Sequence, residues 1–282
     1  MLAPMRALLA LVLAVVPTHA PVTALDASGG RIAYATAWTA TKCERVVAGT
    51  WSYAPRVCPA VSTGRGVAAV EVAGKRTLWL SYVGGNTREW SLATATTTSP
   101  KPRVLRFVPQ DVDLPAPIVL GSGDGSIVPY AVGRTVVALL PSGARAYAWM
   151  APATVTALSA RGADAVAVGA DGSVRVIRGG REISSTQFEQ TPAAAFSTSR
   201  GLLAQVGRTI RLGSSSWQLP AGAQLQDANA AGLAAYVASG RIHVLDTRTG
   251  TDRVVASGSH ARLDGDRLVV ANGARVSILR AP

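Results

Sequence analysis

Apolar and polar residues alternate in short runs along most of the chain. Val174 and Val176 flank Arg175, Ile210 and Leu212 flank Arg211, Ile242 and Val244 flank His243, and Val276 and Ile278 flank Ser277. A period of two is that of a half-buried strand and not of a helix. The runs follow a glycine in a recurring phrase: VAGKRTLWL (72–80), VGRTVVAL (132–139), GADGSVRVI (169–177), VGRTIRL (206–212), ASGRIHVL (238–245) and ANGARVSIL (271–279). Gly74, Gly133, Gly172, Gly207, Gly240 and Gly273 hold equivalent places, at intervals of 59, 39, 35, 33 and 33 residues. Glycine there supplies the positive φ of a tight hairpin.

A second phrase precedes these hairpins and joins two short strands through a Gly/Ser/Asp turn. Its copies are ALDASGGRIAYA, VSTGRGVAAVEV, LSARGADAVAVG, FSTSRGLLAQVG, DANAAGLAAYVA and RLDGDRLVVANG, with a degenerate one, LGSGDGSIVPYAVG, at 120–133. Seven units of strand–turn–strand–hairpin–strand result, most with room for a fourth strand. All-β units recurring at such spacing predict a β-propeller of about seven blades, each of three to four antiparallel strands. A blade buries both faces only between neighbours, so the unit must recur. The long interval is assigned to an insertion at 94–117, Thr-rich and then Pro-rich. The last unit ends at Pro282 without a fourth strand, and the ring is expected to close only partly.

Across roughly residues 24–280 these features resemble exported bacterial β-propellers of the TolB-like and WD40-like kind. The resemblance is at the level of the fold: no WD dipeptide closes a blade, and no kelch double glycine or YVTN run occurs. ALDASGGRIAY and VLDTRTGTDRV are also similar to the tryptophan-docking repeat of quinoprotein dehydrogenases, though neither has its terminal Trp.

The N-terminus changes the picture. One early cation, Arg6, precedes an apolar run from Ala7 to Val16; Pro17 and small residues follow. That run is too short to cross a bilayer, which needs about 20 residues. It has the layout of a secretory signal. Residues 1–24 are read as the leader, cut after Ala20 or Ala24, and 25–282 as one propeller domain. After the first cut Pro21 would stand just past the scissile bond, a poor fit for an extended peptidase site; Ala24 is the other candidate. Export to the cell envelope or beyond, with no transmembrane span after cleavage, is therefore expected. In an oxidising compartment Cys43 and Cys58, the only cysteines, are expected to pair. Such a loop closure contributes roughly 3 kcal/mol.

Net charge is +12, and of 28 basic residues only Lys42, Lys75 and Lys101 are lysines. The arginines are scattered, as on a solvated basic surface. Guanidinium suits phosphate and carboxylate, so an envelope protein or an acidic cell-surface polymer is the expected partner, not nucleic acid.

Catalytic signatures are sparse. His243 takes a slot that other units fill with Arg175, Arg211 or Ser277, and reads as outward; His260 stands alone. Neither has ligand spacing for a metal. Asp26, Asp227 and Asp264 recur near the end of the first strand of three units, where each is expected to cap its own turn, as Ser62, Ser159 and Ser197 do elsewhere. No nucleophile elbow, dinucleotide fingerprint or P-loop occurs, and no cofactor is expected. Trp38, Trp51, Tyr53, Trp79, Tyr82 and Trp90 crowd the first third and are a candidate stacking surface for a ligand or partner. The expected function is a non-enzymatic binding or scaffold module. The alternative is a catalytic propeller, a hydrolase or lyase acting on glycans or lactones.

Overall fold

A computed structural model describes residues 11–38, 43–53 and 66–282. Strands form seven sheets in a ring, each of four antiparallel strands in simple meander order. The blades occupy 22–53, 66–111, 118–150, 155–187, 194–218, 224–257, and 260–280 together with 12–17. The fourth blade is additionally joined by the two residues Ser122–Gly123, which run parallel to Ser159 and Ala160 and tie it to the third.

The burial pattern explains the ring. Second strands such as Asp164–Gly169 and Leu233–Ala238 are buried on both faces almost throughout, whereas the outermost strand Arg181–Gln187 is exposed along its length. Apolar side chains therefore gather between blades. Each of the seven junctions has its own cluster, for example Val166, Val168, Val174 and Val176 against Ala195 and Ala204 between the fourth and fifth blades. Val22, Leu25 and Ala27 against Val269, Ala271 and Val276 close the circle between the first and the seventh.

Gly133, Gly172, Gly207, Gly240 and Gly273 all turn between the second and third strands of their blades, with φ between 55° and 81°. The doubled VGRT is thus the same hairpin in the third and fifth blades. Gly133→Ala and Gly207→Ala are each expected to lose about 1–2 kcal/mol, additively, because a Cβ disfavours this conformation; thermal melts of the single and double variants check it. Gly74 is different: it turns between Gly66–Ala73 and Arg76–Gly84, the first and second strands of the second blade. The interval of 59 therefore mixes two hairpin types. Residues 94–117 are no appendage, since they finish the third strand Thr87–Thr96 and supply the outer strand Arg103–Asp111.

The fourth strand of the seventh blade is Val12–Pro17, antiparallel to Arg275–Arg280. Closure is thus complete, and it uses residues that the sequence assigns to the leader. Cys58 lies outside the described residues, as do the side chains of Cys43 and Trp38 and the pairing of the two cysteines.

Candidate functional site

The first strand of each blade lines the central channel. At one mouth a cavity of about 280 Å³ is bordered by Asp124, Arg161, Asp227, Asn229 and Asp264. Three carboxylates around an opening suggest acid–base chemistry, but their oxygens are engaged by backbone N–H groups. Asp124 accepts from Gly162 of the next blade at 2.8 Å and from Ser126 at 3.0 Å. Asp227 accepts from Leu263 of the next blade and from Ala228, both at 2.8 Å. Asp264 accepts from Gly29 and Gly30 across the ring closure at 2.9 and 2.6 Å.

The same device recurs at other junctions. Asp26 accepts from Val72 at 2.6 Å, and Ser159 donates to the Ala195 carbonyl at 2.7 Å. Ser199 reaches the Ala230 carbonyl at 2.7 Å, and Arg161 donates to carbonyls of Ser197 and Ala228 in the two blades that follow. Between the second and third blades Arg76 bonds the carbonyls of Pro141 and Ser142. Hence the recurring acids are latches between blades rather than caps of their own turns. Hydrogen bonds to charged groups contribute about 1.5–3 kcal/mol each, which suits parts that must hold a ring shut.

Deeper in the channel four ionisable groups meet. Arg262 Nε lies 3.4 Å from Asp26 Oδ1, and its guanidinium also donates to the Gln226 carbonyl at 2.7 Å. Burial raises the carboxyl of Asp26, and Arg262 opposes that rise. Burial and the neighbouring Asp26 push the carboxyl of Glu71 well above its ordinary value, and Arg262 opposes that rise. Arg262 is buried too, yet Glu71, Asp26 and Asp227 together hold it more firmly charged.

Burial pushes Asp227 up to about 6, again against Arg262. Its native form therefore holds a proton that the unfolded chain, near 3.8, has already lost. Its contribution is largest in acid and falls as pH rises through 6. Asp227→Asn is neutral at every pH. The stability of this variant relative to the parent is expected to rise between pH 4 and pH 7 by on the order of 1–2 kcal/mol. Urea unfolding at both pH values checks this.

The degenerate turn of the third blade has a structural cause. Residues 121–127 fold into the mouth, where the Asp124 carbonyl accepts from Ser28 Oγ at 2.6 Å. Gly125, at φ 78°, has no room for a side chain: a Cβ would stand 2.2 Å from Ser28 Oγ.

A second cleft, of about 290 Å³, opens mainly on the first two blades, with Val16 of the closing strand forming part of its wall. Arg31, Lys75, Gly30, Gly49, Gly74 and Thr97 border it, and no carboxylate does. Arg76 is beside it in sequence, and Arg103 lies near enough to lower the affinity of Arg76 for its proton, after burial. Lys101 and Arg103 are exposed on the hairpin and outer strand of the second blade. Arg31 and Lys75, far apart in sequence, meet on one rim because each stands in or just after the turn between the first and second strands of its blade.

The aromatic residues fall on the two sides of the second blade. Trp79, 1% exposed, packs on Trp51 and Tyr53 of the first blade at ring distances of 6.1 and 5.2 Å. Trp90 is buried against Tyr82 at 4.9 Å, and Arg88 lies over the outer side of Tyr82. Trp51, Trp79 and Trp90 thus fill wedges between blades, and Tyr53 and Tyr82 keep part of their surface in solvent. His243 is not outward: its ring stacks on Tyr236 at 4.6 Å and faces Asp252 at 3.3 Å. His260 is held by Ser259 Oγ at 2.9 Å, and burial lowers its basicity. Among the described residues no three His, Cys, Asp or Glu side chains gather as metal ligands.

No protein-family model matches the chain, and no curated protein does. Solved structures do. A chain in a crystal structure of the mitotic checkpoint complex superposes with a TM-score of 0.60 at 12% identity, over 100% of this chain and 99% of that one. The WD40 β-propeller domain of Doa1 does so with a TM-score of 0.60 at 10% identity, over 96% and 97%. At such identities the likeness is one of fold alone, and that fold is a seven-bladed, WD40-like β-propeller.

Proposed function

We propose that this chain is an exported, non-enzymatic propeller that binds an acidic polymer of the cell envelope through the cleft on its first two blades. The observation that carries the reading is a contrast. The carboxylates at the channel mouth accept backbone bonds that hold the ring, whereas the cleft rimmed by Arg31 and Lys75 is lined by no carboxylate. Propellers of this kind often act as binding or scaffold modules, and loops on a rigid frame carry recognition. Export rests on the leader-like N-terminus. An oxidising compartment would also allow the expected Cys43–Cys58 disulfide to form.

Titration with polyglutamate tests the reading. Binding is expected to weaken at least tenfold in an Arg31→Glu/Lys75→Glu variant that keeps the parent's melting temperature. Equal affinity of parent and variant would remove the cleft from the account. A catalytic propeller acting on glycans or lactones remains the second reading, because burial tunes Asp227 to about 6 at an open mouth. Turnover of a glycan or lactone panel that Asp227→Asn abolishes would favour it.

A further inference from the structure

The segment Val12–Pro17 has two incompatible destinations. It closes the seventh blade, with Val12 opposite Leu279, Ala14 opposite Ile278, Val15 opposite Ser277, Val16 opposite Val276 and Pro17 opposite Arg275. It also lies in the apolar run of the leader, ahead of either cleavage site. Cleavage after Ala24 would further remove Val22 and Ala24, which are buried and paired with Thr36 and Ala35 in the innermost strand of the first blade. Cleavage after Ala20 spares that strand and removes only the closing one.

The closing strand has the marks of a temporary occupant. Leu11, Val12, Leu13 and Val15 are 63%, 55%, 50% and 49% exposed on the perimeter of the ring. Outer strands of other blades also expose apolar side chains, among them Val104, Phe107, Met150, Ile183 and Val254, but each of these strands carries charged residues as well, such as Arg103, Arg145, Arg181 and Asp252, whereas Val12–Pro17 carries none. Bare aliphatic edges invite pairing with other chains, and folded proteins avoid them. Departure of the segment frees the Arg280 N–H, which donates to the Leu11 carbonyl at 3.0 Å, and the Ala274 carbonyl, which accepts from Thr18 at 3.0 Å. It also vacates the place of Val16 against Val276 and Ile278.

Charge selects the replacement. Arg275 and Arg280 cap the vacated edge, both exposed and, among the described residues, without an ion pair. The leader sets Pro17 and Leu11 beside them, so neither cation is matched. A second copy pairing edge to edge would set Arg275 opposite Arg280 twice, and like charges directly opposite destabilise a pair. Resting on the reading of residues 1–20 as a cleaved leader, we propose that Arg275–Arg280 is a strand-accepting site in the exported protein. Its occupant is an extended apolar segment of a partner protein, antiparallel to this edge and with a carboxylate at each end.

The test uses a fluorescent peptide, Glu–Val–Leu–Ala–Val–Val–Glu, which keeps residues 12–16 and puts Glu in place of Leu11 and Pro17. A chain beginning at Pro21 is expected to bind it, to bind the version with Lys at both ends at least tenfold more weakly, and not to bind an N-methylated version. The uncut chain, whose edge is filled, is expected not to bind. A full chain folded first and then cut at a protease site placed at 18–20 is expected to exchange its own strand for the peptide, whether or not the Pro21 chain folds alone. Absence of that exchange overturns the proposal, as does equal binding of the Glu and Lys peptides, or a dimer of the cut chain that the peptide cannot dissociate. The N-terminus of the exported protein reports separately on the leader: a start ahead of Val12 refutes the cleavage, while exchange in the cut chain would still establish the edge.

Discussion

Arg262→Met is expected to destabilise the fold by about 3–5 kcal/mol at pH 8, the usual consequence of stranding buried charge, and by much less at pH 5. Arg262 is the cation facing three channel carboxyl groups, Asp26, Glu71 and Asp227. Methionine keeps much of the volume and none of the charge. Without Arg262 the opposing influence on Asp26 and Asp227 disappears, and both move further above their ordinary values. A carboxyl group raised in the native state stabilises it while protonated and loses that contribution as pH rises through the native value. The deficit of the variant therefore grows from acid to alkaline solution. Denaturant unfolding of parent and variant at the two pH values measures it, and a deficit equal at both would mean that Arg262 acts through packing alone.

Trp79→Ala is expected to lose about 3–5 kcal/mol, since the side chain is fully buried and a cavity would remain. Trp79 stands between the first two blades, in contact with Trp51 and Tyr53. The void would open under the cleft on which binding is proposed, so polyanion affinity should fall along with the melting temperature. Trp79→Phe, which retains a ring in the wedge, is expected to recover most of both. Calorimetric melts and the polyglutamate titration, run on the same preparations, separate the two effects.

The repeat was legible because hairpins have local chemistry. An apolar alternation interrupted by glycine at positive φ reads the same in five blades, from Gly133 to Gly273. Gly74 shows where such reading ends: it satisfies the same local rule, and only strand pairing reveals that it serves a different hairpin. The latches were illegible for a related reason. Asp227 and its donor, the Leu263 N–H, are 36 residues apart, as are Ser159 and Ala195. That spacing is one blade, so a capping residue and an inter-blade latch look alike until the ring is closed. His243 misled because its neighbours Tyr236 and Asp252 come from the two flanking strands. The closing strand is the hardest case. A short β-branched apolar run such as VLAVV meets the requirements of a leader and of a blade edge equally well, and nothing local chooses between them.

The basic cleft was not visible as a motif either. Arg31 and Lys75 belong to hairpins of two different blades, and the ring brings them to one rim. Composition gives the sign of the chain's own charge, +12, and an acidic partner is the proposal drawn from it.

The most direct measurement is retention of the protein, purified under oxidising conditions, by the envelope fraction of its own host, at low and at moderate salt. Purely diffuse attraction weakens as the Debye length shrinks, whereas bidentate contacts in a formed cleft persist. The account predicts capture by an acidic polymer that survives moderate salt and disappears in Arg31→Glu/Lys75→Glu. Capture that fades with salt and is the same in parent and variant would contradict it.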